Sequence, residues 1–174
     1  YAGFTSKRIA DARETSEVLL CLSRDSREEV DAIVDAAVAA GGTGDVAFRF
    51  LDRAPGGRVT VCDMTESMLA EGRKRADAVE KSDRLAWVAG DAMALPFADA
   101  SFDASMATVT AHQWADLEKG LAEMRRVTRG PVVLLVCDPA LMSDYWLSEY
   151  IPEVRAIEAG RFPPIQRIAA ALGP

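Results

Sequence analysis

Histidine is almost missing from this chain of 174 residues. His112 stands alone, and the three cysteines, Cys21, Cys62 and Cys137, are far apart in sequence. A zinc site needs three or four grouped nitrogen and sulfur ligands, so no metal is assigned. Cys62 and Cys137 lie in apolar runs that read as buried strands, where a thiol behaves as a small hydrophobe, and a reduced, cytoplasmic protein is expected. No apolar run approaches the roughly 18 to 20 residues that span a bilayer, and Tyr1-Ala2-Gly3-Phe4 has no hydrophobic signal core, so no membrane partner is expected. Positive charge is also short, with 20 Lys and Arg against 27 Asp and Glu. The resulting charge of -7, with the bases scattered among acids, argues against a nucleic-acid partner. No stretch is rich enough in Pro, Gly or Ser to act as a linker, and nothing repeats. One domain over residues 1–174 is the expectation.

What is present is a rhythm of short apolar runs and helical patterns. Arg58-Val59-Thr60-Val61-Cys62, Leu85-Ala86-Trp87-Val88-Ala89, the run from Ala104 to Val109 and the run from Val132 to Cys137 read as buried strands. Helical patterns separate them at about Asp45 to Leu51, Ser67 to Val79 and Leu117 to Val127. This alternation predicts an α/β fold with a mainly parallel sheet. Upstream, Ile9, Ala12, Val18, Leu19 and Leu22 recur at three- and four-residue intervals, which predicts an amphipathic helix from Ser6 to about Leu22. Ser26 and Glu29 form a capping-box pattern, and the segment they open is read as a helix from about Arg27 that yields to a first strand before Ala40. The chain therefore divides into a helical cover (1–30), a core (31–137) and a helical C-terminal segment (138–174) broken by Pro163-Pro164.

Three features carry chemistry. Gly42-Thr43-Gly44-Asp45-Val46-Ala47 fits G-x-G-x-x-A, in which glycines let the backbone turn tightly beside a ligand and the next helix presents free N–H groups. Taken alone, these glycines could equally cap an alanine-rich helix. Asp63 ends the next strand, about twenty residues on, where a nucleoside fold places a carboxylate for the ribose hydroxyls. Asp91, in Gly90-Asp91-Ala92, again puts a carboxylate just past a strand. All three features would meet at the crevice where open α/β sheets bind ligands.

The run from Gly41-Gly42-Thr43-Gly44 through Asp45-Val46-Ala47-Phe48, then Cys62-Asp63-Met64-Thr65-Glu66-Ser67-Met68-Leu69, then Gly90-Asp91-Ala92-Met93-Ala94-Leu95-Pro96-Phe97, resembles the class I methyltransferases that C-methylate ubiquinone and menaquinone precursors. The likeness covers about residues 40–109. It implies a Rossmann-like class I methyltransferase fold with helices on both faces of the sheet, and S-adenosyl-L-methionine as cofactor. By the same likeness, Gly41, Gly42, Thr43 and Gly44 form the loop against the methionine end, Asp63 with Met64 lies at the ribose, and Asp91 with the backbone of Ala92 reads the adenine edge. Ala107 and the residues up to Thr110 would flank the sulfonium. Where the family has an acid closing its first strand, this chain has Val38, with Asp35 the nearest carboxylate.

The family's last antiparallel strand pair has no counterpart in the pattern between Asp138 and Pro174. That leaves the Val132–Cys137 strand at a sheet edge, and a homodimer is expected from its unpaired backbone groups. His112-Gln113-Trp114 follows the fourth strand on the acceptor side, and a neutral imidazole there is a candidate general base for a small-molecule acceptor. Tyr145, Trp146, Tyr150 and Phe162 would line an apolar pocket or form core beneath a covering helix. Two other readings are weighed: a cofactor-binding or assembly domain without catalysis, and a nicotinamide-dependent oxidoreductase. The second lacks a Tyr-x-x-x-Lys pair.

Overall fold

The computed structural model describes residues 19–23, 44–139 and 153–173. Its strands are β1 (Leu19–Ser23), β2 (Arg58–Asp63), β3 (Leu85–Ala89), β4 (Ala104–Thr108) and β5 (Val132–Leu135), and they form one sheet in the order β3-β2-β1-β4-β5. The helices are α1 (Asp45–Arg53), α2 (Glu66–Ala78), α3 (Leu117–Val127), α4 (Glu153–Arg161) and α5 (Ile165–Leu172).

Strand pairs β2–β3 and β4–β5 are parallel, with Asp63 opposite Ala89 and Thr108 opposite Leu135. The central strand β1 runs against both its neighbours, Leu19 lying opposite Cys62 on one side and Ala107 on the other. Four of the five strands thus point one way, and their carboxyl ends share one edge.

Side chains alternate across the sheet and build two cores. On one face Val59, Val61, Ala104, Met106 and Val133 pack under Val46, Phe50 and Leu51 of α1 and Leu69 of α2. On the other, Cys62, Ala107, Val132 and Leu134 meet Leu121, Met124 and Val127 of α3 and Ile168 of α5. With both faces covered, the strands read as near-continuous apolar runs, which is why their sequence pattern was so plain.

Local chemistry sets the helix ends. Asp116 caps α3 by accepting from the Lys119 N–H at 3.0 Å, and Arg125 and Arg126 sit in the last turn against its dipole. Arg84 closes the end of α1 by donating to the carbonyls of Leu51 at 2.8 Å and Ala54 at 3.0 Å, and to Gly57 beyond it at 3.1 Å. Pro163 and Pro164 separate α4 from α5.

One expectation is corrected. The helix predicted to run to Leu22 does not, because Leu19–Ser23 is a strand in the middle of the sheet rather than part of a helical cover. Leu19-Leu20-Cys21-Leu22 is an unbroken apolar run, and such a run satisfies a doubly covered strand as well as a helix face. The first strand expected before Ala40 and the aromatics Tyr145, Trp146 and Tyr150 lie outside the described residues, as do Asp35 and Val38.

Candidate functional site

Asp63 and Asp91 meet at the carboxyl edge. Asp63 closes β2 with only 1% of its surface exposed, and its Oδ1 accepts from the Thr65 N–H at 2.7 Å. Strand alternation puts it on the same face as Val59 and Val61, the side covered by α1 and α2. Asp91 follows β3 in a tight turn: its Oδ1 accepts from the Met93 N–H at 2.8 Å and its carbonyl from the Ala94 N–H at 3.0 Å.

Cys62, the residue before Asp63, packs into the second core. Burial, then the negative charges of Asp63 and Asp91, push its thiol up to about 12. Gly90 fits here because it has no side chain: a Cβ on it would lie 2.8 Å from both Cys62 Sγ and Pro96 Cδ. Ala92 and Leu95, each 4% exposed, anchor the far side of the turn in the second core. Met64, beside Asp63, is 57% exposed at the rim.

Gly44 opens α1 at φ +82°, a backbone region that L side chains rarely adopt. A Cβ there would also stand 3.1 Å from the Trp87 ring. Trp87 reaches across to α2 as well, where a side chain on Gly72 would overlap the same ring. Arg75 of α2 pairs with Asp45 in the first turn of α1 and lies 5.6 Å from the centre of the Phe48 ring. The glycine turn is therefore braced from β3 and α2. Gly41, Gly42 and Thr43 fall outside the described residues.

At the end of β4, Ala107 is fully buried and its side chain faces the second core. The chain then turns sharply. Val109 takes φ +49°, an outlier for a β-branched residue, while its N–H donates to Leu135 at 2.7 Å. Thr108, Thr110, Gln113 and Trp114 each carry a buried side-chain polar atom with no hydrogen-bond partner among the described residues. Buried polar atoms are normally paired, and these four fall within seven residues. His112, in the turn Ala111–Gln113, packs its ring 4.3 Å from that of Phe162. A cavity of about 300 Å³ opens beside it, lined by His112, Trp114, Leu117, Phe162, Pro163 and Arg167 among others.

The structure thus draws Asp63, Asp91 and Ala92 together at neighbouring strand ends and places His112 on the β4 side of the edge. Trp87 and Arg126, which hold the site's walls, were not singled out from sequence. A glycine inside a helix, such as Gly72, is a costly residue that asks for a packing reason, and it was the available pointer to Trp87.

A doubly covered sheet with four of its five strands pointing one way, and acidic turns at the ends of β2 and β3, has a Rossmann-like class I methyltransferase fold. The same fold is found in an Anabaena variabilis protein named as a methyltransferase of an antibiotic biosynthesis pathway (TM-score 0.61, 23% identity, covering 83% of this chain and 59% of that one). It is found again in an S-adenosylmethionine-dependent methyltransferase from Aquifex aeolicus (TM-score 0.52, 17% identity, 56% and 53% covered). The chain belongs to the ubiE/COQ5 methyltransferase family, whose pattern it matches over residues 20–143. It is 64% identical over 99 residues to the ubiquinone/menaquinone biosynthesis C-methyltransferase UbiE of Paracoccus denitrificans, covering 57% of this chain and 40% of that protein. With UbiE of Roseobacter denitrificans it shares 46% identity over 129 residues, 70% and 52% of the two chains. The chain spans about half the length or less of these curated relatives. Among the described residues no helix is long and apolar enough to cross a membrane.

Proposed function

We propose that this chain carries the S-adenosyl-L-methionine site of an enzyme that methylates a small, quinol-like acceptor in the cytoplasm. The observation that carries the reading is the placing of Asp63 and Asp91 at adjacent strand ends, with Asp63 opposite Ala89 and its carbonyl accepting from the Gly90 N–H at 3.1 Å. The donor set fits the cofactor. A buried carboxylate after β2 suits two ribose hydroxyls, an acidic turn after β3 suits an adenine edge, and the left-handed Gly44 lets the backbone approach closely. When bound, the cofactor supplies an electrophilic methyl group on its sulfonium.

The chain's own part is alignment and exclusion of water. Gly44, Asp63, Asp91 and Ala92 hold the donor, with Gly41, Gly42, Thr43, Met64 and Ala107 assigned to the same site by family likeness. In this reading His112 would take a proton at an imidazole nitrogen, and the ring of Phe162, 4.3 Å from its own, favours a flat acceptor. The relatives' names, which specify C-methylation in quinone biosynthesis, support a ring carbon as the methyl acceptor. Residues 1–174 form one unit in this reading, and the edge of β5, unpaired among the described residues, is the surface through which a homodimer would form. A monomeric mass by light scattering removes the dimer from the reading.

Titration calorimetry of the wild-type chain and Asp63→Asn with S-adenosylhomocysteine and with NAD tests the proposal. Binding of S-adenosylhomocysteine, weakened at least about tenfold by the substitution, is expected. Binding of NAD alone refutes it, and binding of S-adenosylhomocysteine with no methyl transfer to any quinol precursor points instead to a non-catalytic cofactor-binding domain.

A further inference from the structure

We infer that Glu123 and Arg126 of α3, neither of which belongs to the cofactor-contacting set, are positioning residues that give the site its selectivity for adenine. The inference rests on the cofactor reading above and deepens it.

The turn from Asp91 to Phe97 has little regular structure to hold it. Beyond the burial of Ala92 and Leu95 in the second core, its backbone is held by α3. Arg126 uses all five of its N–H donors: Nε and Nη2 on Glu123, both at 2.7 Å, Nη2 on the Leu95 carbonyl at 3.1 Å, and Nη1 on the Phe97 carbonyl at 2.8 Å and Asp99 at 2.7 Å. Glu123 in turn accepts from the Leu95 N–H at 2.8 Å. The two backbone groups of Leu95 are therefore held by the two members of one ion pair.

Electrostatics agrees with the geometry. The guanidinium beside it holds the Glu123 carboxyl below its usual range, and Glu123 and Asp99 raise the Arg126 guanidinium further above its own. The pair is partly shielded, with side-chain exposures of 31% for Arg126 and 20% for Glu123. A bidentate fork of this kind fixes direction as well as distance.

The consequence travels along a short chain. Leu95 is fixed by the pair, Ala94 bonds back to the Asp91 carbonyl, and Met93 donates to the Asp91 carboxylate. The position of that carboxylate, and of the Ala92 backbone beside it, thus depends on a salt bridge at the far end of the turn. Adenine offers an amino donor and a ring-nitrogen acceptor on one edge, whereas hypoxanthine presents a carbonyl and an N–H there. A turn held in register distinguishes the two bases; a turn that drifts does not.

The experiment compares S-adenosylhomocysteine with S-inosylhomocysteine by calorimetry on wild type, Arg126→Gln, Arg126→Lys and Glu123→Gln, with urea midpoints to confirm folding. Wild type is expected to prefer the adenine ligand at least about tenfold. Arg126→Gln should lose adenine affinity by about thirtyfold and inosine affinity by under about threefold, so that selectivity collapses. Arg126→Lys should not restore it, because an ammonium lacks the planar fork. If Arg126→Gln does not fold, Glu123→Gln carries the test, with a loss of selectivity of at least about threefold expected. Equal weakening of both ligands, or unchanged selectivity, overturns the inference alone. A wild-type chain that binds neither ligand overturns the cofactor reading and this inference with it.

Discussion

The ring of Trp87 lies against the bare backbone of Gly72, so closely that a single added carbon on the glycine would overlap it. Trp87 points from β3 into the first core, and the same ring closes over Gly44 at the start of α1. One aromatic side chain therefore joins the sheet, α2 and the glycine turn.

From this contact follows the first prediction. Gly72→Ala should lower stability by about 1 to 3 kcal/mol in urea denaturation, because overpacking outweighs the helix propensity gained. Trp87→Phe in the same background should recover part of the loss by vacating the outer ring. An unchanged midpoint in Gly72→Ala contradicts the contact.

Gly44→Ala combines two costs, a left-handed backbone at φ +82° and a Cβ 3.1 Å from Trp87. A loss of about 1 to 2 kcal/mol is expected from the backbone alone. Since the turn also faces the proposed ligand, affinity for S-adenosylhomocysteine should fall as well. Calorimetry and thermal melts on one preparation read both effects.

Cys62 makes stability fall in alkali. Its thiol is raised to about 12 from an ordinary value near 9, so the folded state holds the proton more tightly than the unfolded state. The corresponding stability is complete below pH 9 and is lost as pH climbs toward 12, at up to about 1.4 kcal/mol per pH unit. Cys62→Ala should therefore lose less stability between pH 8 and about 10.5 than wild type does, by about 1 to 2 kcal/mol. Equal slopes in the two proteins count against the assignment.

Val109 holds φ +49°, a left-handed region costly for a β-branched residue, with 40% of its surface exposed. Val109→Gly should leave stability unchanged or raise it by up to about 1 kcal/mol, since relief of a left-handed β-branched residue offsets the flexibility added to the unfolded chain. A loss above about 1 kcal/mol in chemical denaturation would show that the backbone there is unstrained.

Much of the fold was legible in the chain because its elements are doubly covered. Val59, Val61 and Cys62 form a run that only a buried strand explains well, and Leu117, Leu121, Met124 and Val127 repeat at helical spacing. Asp63 and Asp91 were legible too, because each stands at the end of such a run. Leu19-Leu20-Cys21-Leu22 was not. Four apolar residues in a row carry no period, and only pairing with β2 and β4 makes them a strand.

By itself, then, the sequence determined the alternation of strand and helix and the acids that close β2 and follow β3, since hydrophobic period and turn chemistry are local properties. Only the tertiary structure decided that Leu19–Ser23 fills the sheet's centre, that Trp87 braces Gly44 and Gly72, and that Arg126 reaches back to Leu95 and Phe97. Those contacts join residues 15 to 80 or more positions apart, and no local pattern encodes a partner at that distance, because it depends on how the sheet brings its edges and helices together.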